Sequence, residues 1–556
     1  MRLGKPAFKQ LKVAQAFWKS IKDFLLNTYV HAYHYLADAD RHLPEKLMWL
    51  SIHVTMIGCA IGVVMSAWSR FTDNPTITTL ESQHHSIYGL NFPAIAICSN
   101  NKISRTRTEE YAEHLMNLSI PIQYKNKNTL MNLIRYMGRL YDADIEGIDQ
   151  FVKFQEILDN FDSDKTTGIY NMQEKLKFLA PKCSDIAKKC KWGGADVPCS
   201  DILQDRTTNE GFCCTFNYVR PSTLNETAVK PLIAAGIGPD MGLTILLNLS
   251  IADYYYPLKN FGGATTLIYD PSEFADSATG FVREVPVERY LETRITLSAL
   301  SFYAVDEVQR YGINKRQCLF PNDYPNEFGT NYVYGDCLVK CKLKSVMALC
   351  KCIPFNVPVN FNDIDSSLPF CNLGNVQCMN KYKIKWGTFR PKEFIKVLER
   401  EIEDSLNCDI CYPQCSSTIY IVDSTSAQLN FYYVNKGSVI AGFDDDKDLS
   451  VLKVYFPETD SVLYKTDVLF AWYDIISDYG GILGLFLGCS IITVFEILFY
   501  ITVRFYQNLF NSQAINKVDY NIKSHKESRI NITKLFAVFI CVEHIYSETE
   551  RPQRGQ

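Results

Sequence analysis

The sequence predicts an α+β membrane protein in which two transmembrane helices flank a large disulfide-rich extracellular domain. Three observations predict it. The 556-residue chain has a mean hydropathy near zero, yet it contains two apolar stretches, at residues 47–68 and 482–503. Each is 22 residues long and carries at most one charge, and about 20 helical residues cross the hydrocarbon core. Second, sixteen of the nineteen cysteines lie between Cys98 and Cys415, and stable disulfides belong to an oxidising compartment. Third, β-rich runs at 242–249, 293–298 and 449–456 are interspersed with helical periodicity at 130–141, 151–161 and 394–406. That mixture suggests helices set around a mostly antiparallel sheet.

Flanking charge orients the spans. Residues 1–46 carry eight basic against four acidic side chains, residues 504–556 eight against five, and residues 47–503 41 against 52. Basic flanks stay inside, which places both termini in the cytosol and the intervening region outside. The first stretch begins 46 residues into the chain with no small-residue cleavage site after it, so it reads as a span and not as a cleaved leader. The resulting division is a cytosolic segment at 1–46, a first span at 47–68, and an extracellular domain at 69–468. A pre-span segment and second span follow at 469–503, then a cytosolic tail at 504–556. The sequons at Asn117, Asn225 and Asn248 fall outside and are glycosylation candidates, whereas Asn531 is cytosolic. The net charge of -4 excludes a generally basic nucleic-acid binder. No Ser/His/Asp, P-loop or HExxH pattern is present, so neither an enzyme nor a resident metal or cofactor is expected.

The second span carries the informative residues. On a helix, Ser477, Gly481, Gly484 and Gly488 fall within about 60° of arc, a stripe that lets transmembrane helices approach closely. Tight packing without a pore explains that stripe equally well. Glu496 is an acid inside an apolar run and therefore a functional candidate. Asp478 sits at the outer mouth, where repeated acids concentrate cations. His53, in the first span, reads as packing. The cysteines form two even groups, six from Cys98 to Cys214 and ten from Cys318 to Cys415. A zinc site at Cys350, Cys352, Cys408 and Cys411 is the weaker alternative, because extracellular thiolates oxidise.

Four patterns then occur in order. They are FPAIAICSN from Phe92 to Asn100, GFCCTFN from Gly211 to Asn217, the ten cysteines ending CDICYPQC at Cys415, and DYGGILGLFLGCS from Asp478 to Ser490. Together they resemble the degenerin/epithelial sodium channel family, most closely its insect pickpocket branch, over roughly residues 24–505. The resemblance implies a trimeric, sodium-preferring, amiloride-sensitive plasma-membrane channel with a hand-shaped ectodomain and a central cation pore. It assigns Gly488, Cys489 and Ser490 to the selectivity filter, with sodium as the permeant ion. Ser477, Asp478, Gly480, Gly481, Gly484 and Glu496 go to the pore and gate. His31 and Ala32 match an N-terminal His-Gly gating pair, with alanine in place of the glycine.

The implied disulfides are Cys98–Cys213 and Cys183–Cys190, which leaves Cys199 with Cys214. A helical thumb at 318–415 would hold Cys318–Cys415, Cys337–Cys411, Cys341–Cys408, Cys350–Cys378 and Cys352–Cys371. Partners implied are identical or related subunits, the lipid bilayer and amiloride-type blockers. The competing readings are a non-conducting two-span receptor and an ATP-gated channel. The gating stimulus and the role of residues 525–556 stay open.

Overall fold

A computed structural model describes residues 5–510 except 74, 119, 164–169, 221–229, 326–331, 358–367, 391–403, 433, 435, 436 and 445. The sequon at Asn225, most of the helix expected at 394–406 and the whole tail from 511 lie outside the described residues. The chain divides into two units, one built from Met1–Arg70 with Phe470–Gln556, the other from Phe71–Leu469.

In the larger unit β1 (Thr76–Ser86), β2 (Ala94–Ser99), β3 (Ala187–Trp192) and β4 (Ala195–Val197) come first. A hairpin of β5 (Leu203–Thr208) and β6 (Gly211–Phe216) follows, then β7 (Leu243–Asn248), β8 (Gly263–Tyr269) and β9 (Arg283–Glu288). The last four are β10 (Leu291–Ala304), β11 (Ser417–Gln428), β12 (Leu449–Tyr455) and β13 (Asp460–Val468). Among the described residues they form two sheets. One runs β1-β13-β10-β12-β7-β3-β4 with β11 added to β10, the other β5-β6-β2-β8-β9. The ladders are antiparallel apart from β10 with β12 and β10 with β13. All three strands expected at 242–249, 293–298 and 449–456 lie in the first sheet, as β7, part of β10 and β12.

Hydrophobic patterning explains the assembly. β8 is buried at every position, as a strand covered on both faces requires. Ile95 and Ile97 of β2, Ile245 and Leu247 of β7, and Ile295 and Leu452 join one core shared by the two sheets. Phe92 is its centre, with Trp192 and Phe456 edge-on at 4.8 and 5.8 Å. Fully burying such side chains contributes about 1.5–3 kcal/mol each. The helices Arg105–Met116, Lys127–Arg135, Ile148–Phe161 and Met172–Leu179 enclose a second core around Phe151, Phe154 and Leu176. The run expected as one helix at 130–141 is three short pieces, because a 3-10 turn at Tyr136–Gly138 interrupts it. A Cβ at Gly138 would stand 2.4 Å from the Tyr256 ring, so that turn can pass only as glycine.

Eight disulfides tie the unit together. Cys98–Cys213 and all five bonds of the 318–415 region coincide with those implied by the resemblance. The remaining two do not. Cys183 bonds Cys214 and Cys190 bonds Cys199, in place of Cys183–Cys190 and Cys199–Cys214. The reason is strand register. Cys190 pairs with Val197 across the β3–β4 hairpin, so Cys199 arrives beside it. Asp205 of β5 pairs with Cys214, and its carboxylate accepts the Cys183 N–H at 3.4 Å, which brings Cys183 to Cys214. In the 318–415 region, the helices Tyr334–Cys350 and Val376–Gly387 have a thin apolar seam around Val346 and Trp386. Crosslinks compensate for a core too small to hold two such helices alone.

Candidate functional site: the broken apolar helix

The smaller unit contains helices Lys5–Asn27, Tyr33–Ala37, all but the last three residues of Leu43–Asp73, Trp472–Leu487 and Ile491–Phe499. Leu43–Asp73 contains the stretch read at 47–68 and, among the described residues, is the single unbroken helix long and apolar enough to cross a membrane. Trp472–Leu487 and 491–510 meet that criterion only as a pair, bent by 69°. The second span expected as continuous over 482–503 is therefore interrupted.

The interruption falls at Gly488, Cys489 and Ser490. Gly488 adopts φ 67°, the left-handed region that stops a helix and that glycine enters without strain. Its N–H still reaches Gly484 O at 2.9 Å, and Cys489 N–H reaches Leu483 O at 3.2 Å. Ser490 then restarts the helix as an N-cap. Its hydroxyl accepts from Thr493 N at 3.4 Å, while Thr493 Oγ1 accepts from Ser490 N at 3.1 Å. This corrects the stripe. Ser477, Gly481 and Gly484 share the helix Trp472–Leu487, and Gly488 has left it.

The N-terminal segment meets this break directly. His31 N–H donates to Leu487 O at 3.0 Å. A Cβ on Gly488 would lie 2.8 Å from His31 Nε2, so the ring's position is a second, independent reason for glycine there. Ala32, next to His31, is itself left-handed at φ 71°. An L-residue in that region costs about 1–2 kcal/mol, so the alanine carries strain that a glycine would not. Further contacts brace the segment along the second half-helix. Thr28 Oγ1 donates to Glu496 Oε2 at 3.3 Å, Phe24 stands edge-on to Tyr500 at 5.5 Å, and Asn508 Nδ2 donates to Ser20 Oγ at 2.9 Å. Glu496, the acid of the apolar run, thus has a hydroxyl partner from the opposite end of the chain.

The remaining candidates stand apart from these contacts. Ser477, Asp478, Gly480 and Gly481 are exposed, and a Cβ added at either glycine meets nothing within 4 Å. The outer end of the small face, at Ser477 and Gly481, is therefore open, whereas a Cβ at Gly484 would meet Cys489 O at 3.5 Å. His53 is 6% exposed, edge-on to Tyr33 at 4.7 Å, and its Nε2 has no hydrogen-bond partner among the described residues. Cys59 and Cys489 are the unpaired thiols among the described residues. Of the sequons, Asn117 caps the C-terminus of Arg105–Met116, and Asn248 ends β7, its Oδ1 accepting from Ser250 N at 3.1 Å. The bridge from His31 to Leu487 had no signal in the sequence beyond the histidine itself.

Such an arrangement can present backbone oxygens at membrane depth, which is tolerated only where they line a cavity or are covered by protein. Comparison with known proteins agrees in class. The profile described as "Amiloride-sensitive sodium channel" matches residues 24–500. Pickpocket protein 28 of Drosophila melanogaster is 24% identical over 88% of this chain and 79% of its own length. Sodium channel protein Nach of Drosophila ananassae is 23% identical over 87% of each chain. The bile acid-sensitive ion channel of Mus musculus is 22% identical over 87% of this chain and 88% of its own.

Proposed function

Because the chain belongs to the amiloride-sensitive sodium channel family, whose members are ion channels and not enzymes, we propose that it is one subunit of a trimeric, sodium-preferring cation channel of the plasma membrane. It spans twice with both termini cytosolic, is blocked by amiloride-type compounds, and opens in response to an extracellular stimulus. The observation that carries this reading is the break at Gly488–Ser490 in an otherwise membrane-length apolar helix. A plain anchor has no use for an interrupted span, whereas a filter needs hard oxygen ligands that replace part of a sodium ion's hydration shell. Three copies would set Gly488–Ser490 around the axis, with Ser477, Gly481 and Gly484 facing neighbouring helices and Asp478 drawing cations to the mouth. Cys489 contributes spacing, since sulfur is a poor sodium ligand. His31 and Ala32 hold the cytosolic segment against the filter's last helical carbonyl. Whole-cell recording tests the reading: surface-expressed chain, alone or with related subunits, should add an amiloride-blocked sodium current. Surface-expressed protein that never adds a cation current in any combination would overturn it.

A further inference from the structure

In the larger unit, a buried carboxylate has an oxygen that no described residue answers. Glu273 is 4% exposed, and its Oε1 has no hydrogen-bond partner among the described residues. It lies against the first turn of the helix Tyr334–Cys350 so closely that a Cβ at Gly335 would stand on its carboxylate. It borders a cavity of about 110 Å3 whose walls include Asp270, Phe281, Tyr334, Ile419 and Tyr420. Among the described residues no Lys, Arg or His lines that cavity. The charged groups facing Glu273 are Asp336, Asp270 and Asp276, all acids. The nearby cations are already committed, Arg220 to Asp336 and Lys342 to Asp276. Phe281 and Tyr334 pack edge-to-face at 5.4 Å, so aromatic surface adjoins the acids.

Carboxylates with aromatic walls and no cation in the cavity lining are the chemistry that recognises an ammonium group on a compact organic body. A bare divalent ion is less well served. Among the described residues the only trio of His, Cys or carboxylate ligand atoms mutually within 4.8 Å is Cys183, Asp205 and Cys214, elsewhere in the unit. We propose that the cavity beside Glu273 is a binding site for a small organic cation, an arylalkylammonium, with Glu273 as its ion-pair partner and Phe281 and Tyr334 as its aromatic wall. In the empty site, burial and then the neighbouring acids push the Glu273 carboxyl well above its ordinary range. A bound ammonium replaces the proton as counter-charge.

The site lies among residues separate from the pore assignment, so its failure and the failure of the channel reading are distinguishable. The test is ligand-observed NMR and calorimetry on the purified full chain in lipid nanodiscs. Phenethylammonium is the probe, with 2-phenylethanol and 3-phenylpropionate as its neutral and anionic counterparts. Binding should be confined to the amine and fall at least tenfold in Glu273→Gln. Ile419→Trp, which fills the cavity without touching its charge, should weaken it similarly, and Glu273→Asp should retain part of it. Unchanged disulfide maps and a cooperative thermal transition establish that each variant folds. Equal uptake of the alcohol, undiminished binding in folded Glu273→Gln or Ile419→Trp, or no amine binding by the wild-type chain at millimolar concentration would each overturn the proposal.

Discussion

Two single residues, Ala32 and Glu273, store unfavourable energy. Ala32 occupies φ 71° one residue after the His31–Leu487 hydrogen bond. Ala32→Gly removes a steric penalty of about 1 kcal/mol, which shifts a local opening equilibrium about fivefold. Hydrogen exchange at the His31 amide should slow by that factor, and Ala32→Val should speed it. Equal rates in all three chains would mean that the left-handed conformation is not maintained in solution. Glu273 is the second. Its folded pKa is raised by burial first and by neighbouring acids second, and burial likewise raises Asp270 and Asp336. An acid of this kind keeps a proton in the folded state that the unfolded chain has released. Stability is therefore full below the unfolded value near 4.5 and declines as pH rises toward the folded value. The slope is about 1.4 kcal/mol per pH unit for each proton retained. Urea unfolding from about pH 5 to pH 8 should show that decline, and Glu273→Gln should flatten it. A slope unchanged by the substitution would place the retained proton elsewhere.

At the level of elements, the cysteine framework and the broken helix differ in how much of them the sequence displays. The 318–415 ladder and Cys98–Cys213 follow from a resemblance carried by four ordered patterns, three of which contain the cysteines concerned. The pairing within Cys183–Cys214 depends instead on the register of the β3–β4 hairpin and on β5 lying beside β6. Three-residue β4 has no hydrophobic alternation to announce that register. Partial reduction and peptide mapping should recover Cys190–Cys199 and Cys183–Cys214, and Cys183–Cys190 would contradict the register. Loop length ranks the consequences of removal. Cys190–Cys199 closes 9 residues and Cys98–Cys213 closes 115, worth about 2.6 and 4.8 kcal/mol in the chain-entropy account. The break in the second span was foreshadowed only by the GCS triplet at 488–490, since the hydropathy of 482–503 runs through it unchanged. Ser490→Ala removes both a hydroxyl at the break and the cap of the second half-helix, a cap costing about 1 kcal/mol to lose. Sodium-over-potassium selectivity or unitary conductance should change in a conducting assembly. Unaltered conduction would move the filter away from the break.

For the whole molecule, the unbroken apolar helix Leu43–Asp73, the cysteine-rich domain and the mixed α/β character were legible from composition and periodicity, because each is a property of long stretches. What was not legible joins residues from opposite ends of the chain: His31 to Leu487, Thr28 to Glu496 and Ser20 to Asn508. No local pattern encodes such contacts. Ser477 is exposed and a Cβ at Gly481 meets nothing within 4 Å, so in the proposed assembly bulk placed at this end of the helix is felt against neighbouring subunits. Ser477→Val adds volume to each, and overpacking costs about 1–3 kcal/mol per site. Concentrated in the closed state, that strain favours opening, and a standing amiloride-blocked current is expected. A surface-expressed Ser477→Val assembly that closes normally would show that this face does not meet its neighbours at the gate. The central claim, that cations pass the break at Gly488–Ser490, has a direct probe in the native thiol of Cys489. Silver ions applied from outside in nitrate solution are small enough to follow sodium and react irreversibly with a thiol they meet. The account expects irreversible loss of the sodium current that is abolished by Cys489→Ser and retained in Cys59→Ser. Block that persists undiminished in Cys489→Ser, or a sodium current that silver never touches, would contradict it.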